Sequence, residues 1–127
     1  MKGLVIQSPN VEAILEGRKP WEMRSSKTKS RGRIALIRSG SGLIVGICGL
    51  IDVLGPLTLE QLEENRDKHL ASPHALLNPV RGKPRNIAWV LANARNLSEP
   101  IAYDHPRGAV IWVNLDLHPQ RDFLEAF

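Results

Sequence analysis

The sequence predicts an α+β fold, a small mixed β-barrel with two or three short helices inserted. Three observations carry this. Apolar runs of strand length recur along the whole chain, clusters of Gly, Pro and Ser separate them, and capping signals open only short helical segments. At 127 residues the chain fits one domain with a core of its own. The expected boundaries are a single domain over residues 1–116 and a C-terminal tail over 117–127.

Residues 2–6 form the first short apolar strand. Ser8-Pro9 reads as an N-cap followed by proline at the first helical position. Val11, Ile14 and Leu15 share one helical face, and Gly17 ends the helix. A second strand is expected from Trp21 to Arg24, followed by a polar loop from Ser25 to Gly32. Residues 34–37 and 43–53 read as strands joined at Ser39-Gly40-Ser41-Gly42. Gly46 and Gly49 within the longer one predict a bulge or a close backbone approach. Thr58-Leu59-Glu60-Gln61 is a capping box with Leu57 and Leu62 placed as a hydrophobic staple, so a helix is expected over 59–68. Ser72-Pro73 opens another helix that Pro79 ends. Residues 80–86 read as a surface loop, 87–91 and 109–115 as strands, and 116–127 is open between coil and a short tail helix.

Composition bounds the class. Apolar residues make up 43% of the chain and charged ones 24%, the balance of an ordinary soluble globular protein. The single cysteine, Cys48, excludes an intrachain disulfide and a multi-cysteine zinc site, and its apolar setting reads as a buried small hydrophobe. His69 and His74 lack the partners of a metal site, so no metal and no cofactor are expected. No apolar run is long enough to span a bilayer, so no membrane partner is expected and a cytoplasmic location is the default.

The net charge of +4 is unevenly placed. Between Arg18 and Arg33 lie 7 of the 17 basic residues, opposed only by Glu22. Glu60, Glu63, Glu64 and Asp67 collect on the helix expected after Thr58. A basic side and an acidic side suit a surface that follows phosphates. The alternative is a solvated loop whose charges only aid solubility.

The densest chemistry is Gly17-Arg18-Lys19-Pro20-Trp21-Glu22-Met23-Arg24. On a strand, Glu22 and Arg24 share a face because side chains alternate with period two. Lys19, in the preceding turn, reaches the same place. Burial and neighbouring cations would lower its pKa, and Glu22 would raise it. An ion pair among these residues that only pins the turn is the competing reading. The spacing G-x-K-x-x-E-x-R resembles the signature of the ASCH family, relatives of the PUA-like RNA-binding barrels. The opening Met1–Ile6, the Gly32–Ile37 strand and the closing Gly108–Val113 resemble that family too, over roughly residues 1 to 116.

The resemblance implies a PUA-like barrel and activity at the motif. Some ASCH proteins are amidohydrolases that deacylate N4-acetylcytidine with a lysine, a threonine and a glutamate. Others are assigned nucleic-acid binding or ribonuclease activity. Here the lysine matches Lys19, but the threonine position holds Glu22, so the hydroxyl is absent. The third residue falls in the helix after Thr58, where Lys68-His69 stands nearby with Glu63, Glu64 and Asp67 upstream. The expected partner is therefore RNA, another single-stranded nucleic acid or a small modified nucleoside. Candidate ligand-binding residues are Lys19, Glu22, Arg24, Lys27, Lys29, Arg31, Arg33, His69, Trp89 and Tyr103. Tyr103 is placed to line the opening, where an aromatic face stacks on a base. The plain reading of Trp89 and Trp112 is a core position on their strands. Were the protein a hydrolase, Lys19 and Glu22 would be its catalytic pair, Glu22 as base and Lys19 holding an oxyanion. A third class, a protein-interaction module, rests on the acidic helix.

Overall fold

In the structure, a computed structural model describing residues Met1–Phe127, six strands form one sheet. They are β1 (Lys2–Ile6), β2 (Trp21–Arg24), β3 (Gly32–Arg38), β4 (Leu43–Leu54), β5 (Ile87–Ala102) and β6 (Trp112–Asn114), in the order β2-β5-β4-β3-β1-β6. Only β1 and β3 run parallel, because α1 (Asn10–Leu15) begins the excursion between them. The sheet curls into a half-barrel. No ladder joins β2 to β6, so the barrel stays open along that seam, and Arg24 Nη2 crosses it to donate to the Val5 carbonyl of β1 at 2.9 Å.

Alternation along the strands sorts three apolar clusters. Leu4, Ile6, Ile34, Leu36, Leu50 and Trp89 line the concave interior with Val11, Ile14 and Leu15 of α1. Ala35, Ile37, Ile44 and Ile47 point outward and are covered with Leu124 of α5 (Arg121–Ala126). The tail is thus part of the domain's packing, with Leu124 fully buried. Trp21, Met23 and Ala88 point outward elsewhere, under Leu57, Leu62 and Leu76. That cover comes from α2 (Leu59–Glu64) and α4 (Pro73–Leu77), with α3 (Arg66–His69) between them. Gly46 serves a close approach, since a Cβ there would come within 2.6 Å of the Arg95 carbonyl oxygen and closer still to Leu15. No helix is long and apolar enough to cross a membrane.

Several elements differ from expectation. There are five helices, partly because the one expected over 59–68 breaks at Asn65, whose φ of −113° leaves the helical region. α1 starts at Asn10, and Ser8 donates its hydroxyl to Glu12 at 2.6 Å instead of capping the backbone. β5 runs to Ala102, far beyond Leu91, and β6 keeps only the three residues that pair with β1. The capping box is as expected: Thr58 Oγ1 accepts from Gln61 N–H at 3.2 Å, and Gln61 Oε1 accepts from Thr58 N–H at 2.9 Å. Thr58→Ala removes one of these bonds, and a loss of about 1 kcal/mol in urea unfolding is expected. An unchanged midpoint would show that α2 is held by Leu62 alone.

Candidate functional site

The motif is folded into one place by three local rules. Gly17 takes a φ of +79°, which ends α1 and turns the chain back so that the Arg18 and Lys19 amides both donate to the Ala13 carbonyl. β2 then pairs antiparallel with β5, Glu22 opposite Trp89 and Arg24 opposite Ile87. With period two, Trp21 and Met23 go outward to the helices while Glu22 and Arg24 turn inward to the seam.

Lys19 is buried, and its Nζ donates to the carbonyls of Trp21 and His69, both at 2.8 Å. The carbonyl of His69 is at the C-terminus of α3, which Leu70 ends with a left-handed φ of 59°. Glu22 lies between two cations, its Oε2 3.0 Å from Arg24 Nη2 and its Oε1 3.9 Å from Lys19 Nζ. Burial holds the Lys19 ammonium below its usual pKa, with Arg24 and Arg85 pushing the same way and Glu22 opposing them. Arg24 also covers the face of Trp89, 5.4 Å from its centroid, and its Nε–H is buried with no partner.

Above Glu22 and Arg24 the seam opens into a cleft of about 310 Å³, at the lower end of ligand-pocket sizes. Its walls are largely polar: Gln7, Asn10, Ser25, Ser26, Ser39 and Arg85 join the two motif residues. No hydrogen bond from the protein reaches either Glu22 carboxylate oxygen, whose contacts are the Arg24 and Lys19 ion pairs, so acceptor capacity is left for a ligand at the floor.

The other expected residues are distributed as follows. Lys19 supports Glu22 from behind and does not line the cleft. His69 is 1% exposed, and both ring nitrogens are used: Nε2–H donates to the Leu62 carbonyl at 2.7 Å while Nδ1 accepts from Ala71 N–H at 3.1 Å. Burial lowers its pKa and favours this neutral tautomer, so its contribution to the site is its carbonyl, not its ring. Trp89 is 2% exposed, stacked at 5.7 Å on Trp112 and covered by Arg24. Of the two readings of Trp89, ligand contact is corrected and the core position stands: the ring is buried in the interior cluster, and its Nε1–H anchors the loop after β2 through the Ser26 carbonyl at 2.9 Å. Tyr103 lines an adjoining cavity that shares Val5, Ser39 and Val110 with the cleft, and its hydroxyl meets His105 Nδ1 at 2.7 Å.

Lys27, Lys29 and Arg31 are exposed on the loop that leaves the cleft at Ser26, and none of them has a carboxylate within 4.0 Å. Arg33 lies farther on, donating to the Glu125 carbonyl at 2.9 Å and bordering a different cavity. Sequence reasoning missed Gln7, Asn10, Ser39 and Arg85. They come from four separate segments, and only Arg85, spaced with Arg81 and Lys83 in a short basic run, carries any signal in the sequence.

The ASCH domain family model matches residues 4–101. A crystal structure of ASCH from Zymomonas mobilis aligns with a TM-score of 0.64 and 16% identity over 80% of this chain and 72% of that one. A mutant form of the Zymomonas mobilis protein aligns at 0.71 with 14% identity, over 98% of this chain and 94% of that one. No curated protein matches. The likeness to those structures is one of fold, the matched segment contains Lys19, Glu22 and Arg24, and the chain belongs to the ASCH domain family.

Proposed function

We propose that the cleft binds the base of a single-stranded RNA or a modified nucleoside, with the Lys27–Arg31 loop engaging phosphates. One observation carries the reading. A nearly buried carboxylate with an unfilled acceptor lies at the floor of a polar cleft, and a run of acid-free cations leaves its rim. The Glu22 carboxylate suits an exocyclic amine or ring N–H of a base, as carboxylates accept from cytosine N4. Arg85 at the wall and the loop cations supply charge for the backbone. Lys19 positions Glu22 and screens its charge from behind.

A hydrolase would need a group at the reacting atom. Lys19 Nζ is committed to two carbonyls and set back from the cleft, which leaves Glu22 as the one member of the pair that meets a ligand. Binding is therefore the reading that the geometry supports best.

The test is anisotropy of a short single-stranded RNA across a salt series. The Lys27→Ala, Lys29→Ala, Arg31→Ala triple variant should bind more weakly, with the slope of log affinity against log salt shallower by about 2. An unchanged slope would discard the phosphate loop. Release of acetate from N4-acetylcytidine, lost in Lys19→Ala, would replace binding by hydrolysis as the function.

A further inference from the structure

A second cavity, of about 460 Å³, lies on the outer side of β3, β4 and β5 and shares no lining residue with the cleft. Arg33, Cys48, Gly49, Asn93, Arg95 and Phe127 border it. Arg33 and Arg95 are both exposed, and neither has a carboxylate within 4.0 Å. Arg33 is braced by its bond to the Glu125 carbonyl, which fixes one arm of the fork and leaves the rest of the guanidinium unpaired. The two cations come from the strands on either side of β4, and neither is held in an ion pair.

The backbone is also shaped here. Ile47 pairs with Arg95 and Gly49 with Ala92, so Asn93 and Ala94 together oppose Cys48 in a bulge. Asn93 holds a left-handed φ of 54° within it. Bulges re-aim neighbouring side chains, and this one sets Asn93 and Arg95 on the same rim. Gly49 is the more telling residue. It has no positive φ, and a Cβ added there would meet nothing nearer than 3.6 Å. Neither conformation nor packing requires glycine at a position where it weakens the strand. Its effect is to keep the floor open.

We infer that this cavity is a second ligand site, for a phosphoryl group held by Arg33 and Arg95. Planar forks match phosphate oxygens two at a time, and the Asn93 amide adds a neutral donor. Phe127, whose ring packs on the outer apolar cluster and edge-to-face with Phe123, walls the cavity on one side. The phosphate can come from a mononucleotide or from the backbone of an RNA strand. The inference stands apart from the reading of the cleft, since no residue is shared.

Amide NMR titrations with inorganic phosphate, adenosine monophosphate and a short single-stranded RNA test it. Saturable shifts are expected at Gly49, Asn93 and Arg95 with inorganic phosphate. The Arg33→Gln, Arg95→Gln pair should weaken them about tenfold or more, because Gln keeps a donor but loses the charged fork. Gly49→Val should fill the floor and abolish them while melting no lower than the parent; should it melt lower, the arginine pair still decides. Tighter binding of the mononucleotide than of phosphate would identify a nucleotide as the source. Tighter binding of RNA, with Glu22 and Ser25 amides moving together with Gly49, would identify one strand spanning both sites. Absence of saturable shifts at millimolar phosphate, or shifts indifferent to loss of both arginines, would overturn the site. Failure of the cleft reading shows separately, as Glu22 and Ser25 amides that stay still with RNA.

Discussion

Glu22→Ala is expected to destabilise the fold by about 3–5 kcal/mol, the cost of removing one partner from a buried ion pair. The side chain is 8% exposed and lies between Lys19, 4% exposed, and Arg24, 19% exposed. Without the carboxylate, two cations face each other in a setting that already disfavours one of them. The lysine cannot withdraw, because Trp21 and His69 hold its Nζ. pH gives a second readout. A lysine whose folded pKa lies below its unfolded value of 10.5 binds fewer protons when folded, so stability rises with pH between the two. Glu22 is the one group that raises Lys19, so in Glu22→Ala this rise should begin at lower pH than in the parent. Urea titrations over neutral to alkaline pH check both. A loss under about 1 kcal/mol would place the triad with surface ion pairs, which contribute little. Glu22→Gln, which keeps the side chain's size without its charge, should lose less and separate charge from packing.

The part of this triad that could be read in the sequence is what local rules determine. Gly17 ends a helix by its φ, and Glu22 and Arg24 share a face by strand period, so their meeting was legible before any fold was known. Distant segments were not legible. The carbonyl holding Lys19 belongs to His69, 50 residues away, and the sequence can only point to the ring. The sequence leaves Trp89 open between core and ligand contact, and only Trp112 and Arg24, packed on it from distant segments, settle it as core. β5 was read too short because its far half is largely exposed and contains Pro100. In the ladder, Asn96 pairs with Gly46 and Ile101 with Ile44, so residues 97–100 bulge out and Pro100 faces no partner that needs its missing N–H. The fold class needed none of this. It followed from turn chemistry and strand alternation, and those survive errors in where a strand ends.

Cys48 should impose a steep alkaline loss of stability that its removal abolishes. Burial alone pushes its thiol up from 9.0 to about 12, because the interior cannot solvate a thiolate. Between those values the unfolded chain has released the proton and the folded chain has not. The folded state then binds more protons, so stability falls as pH rises through this window. Below 9.0 the thiol is neutral in both states and contributes no slope. The loss should run at about 1.4 kcal/mol per pH unit and approach 4 kcal/mol at the top of the window. Lys19 and Tyr103 are also shifted from their ordinary values, downward and upward respectively, so the parent curve alone would mix three groups. The difference between the parent and Cys48→Ala isolates one. The variant loses a buried sulfur and starts lower, an offset that does not depend on pH. The two curves should therefore converge above pH 9 and then cross. Curves that stay parallel to the end would mean that the folded thiol ionises as readily as the unfolded one and that burial does not hold it neutral.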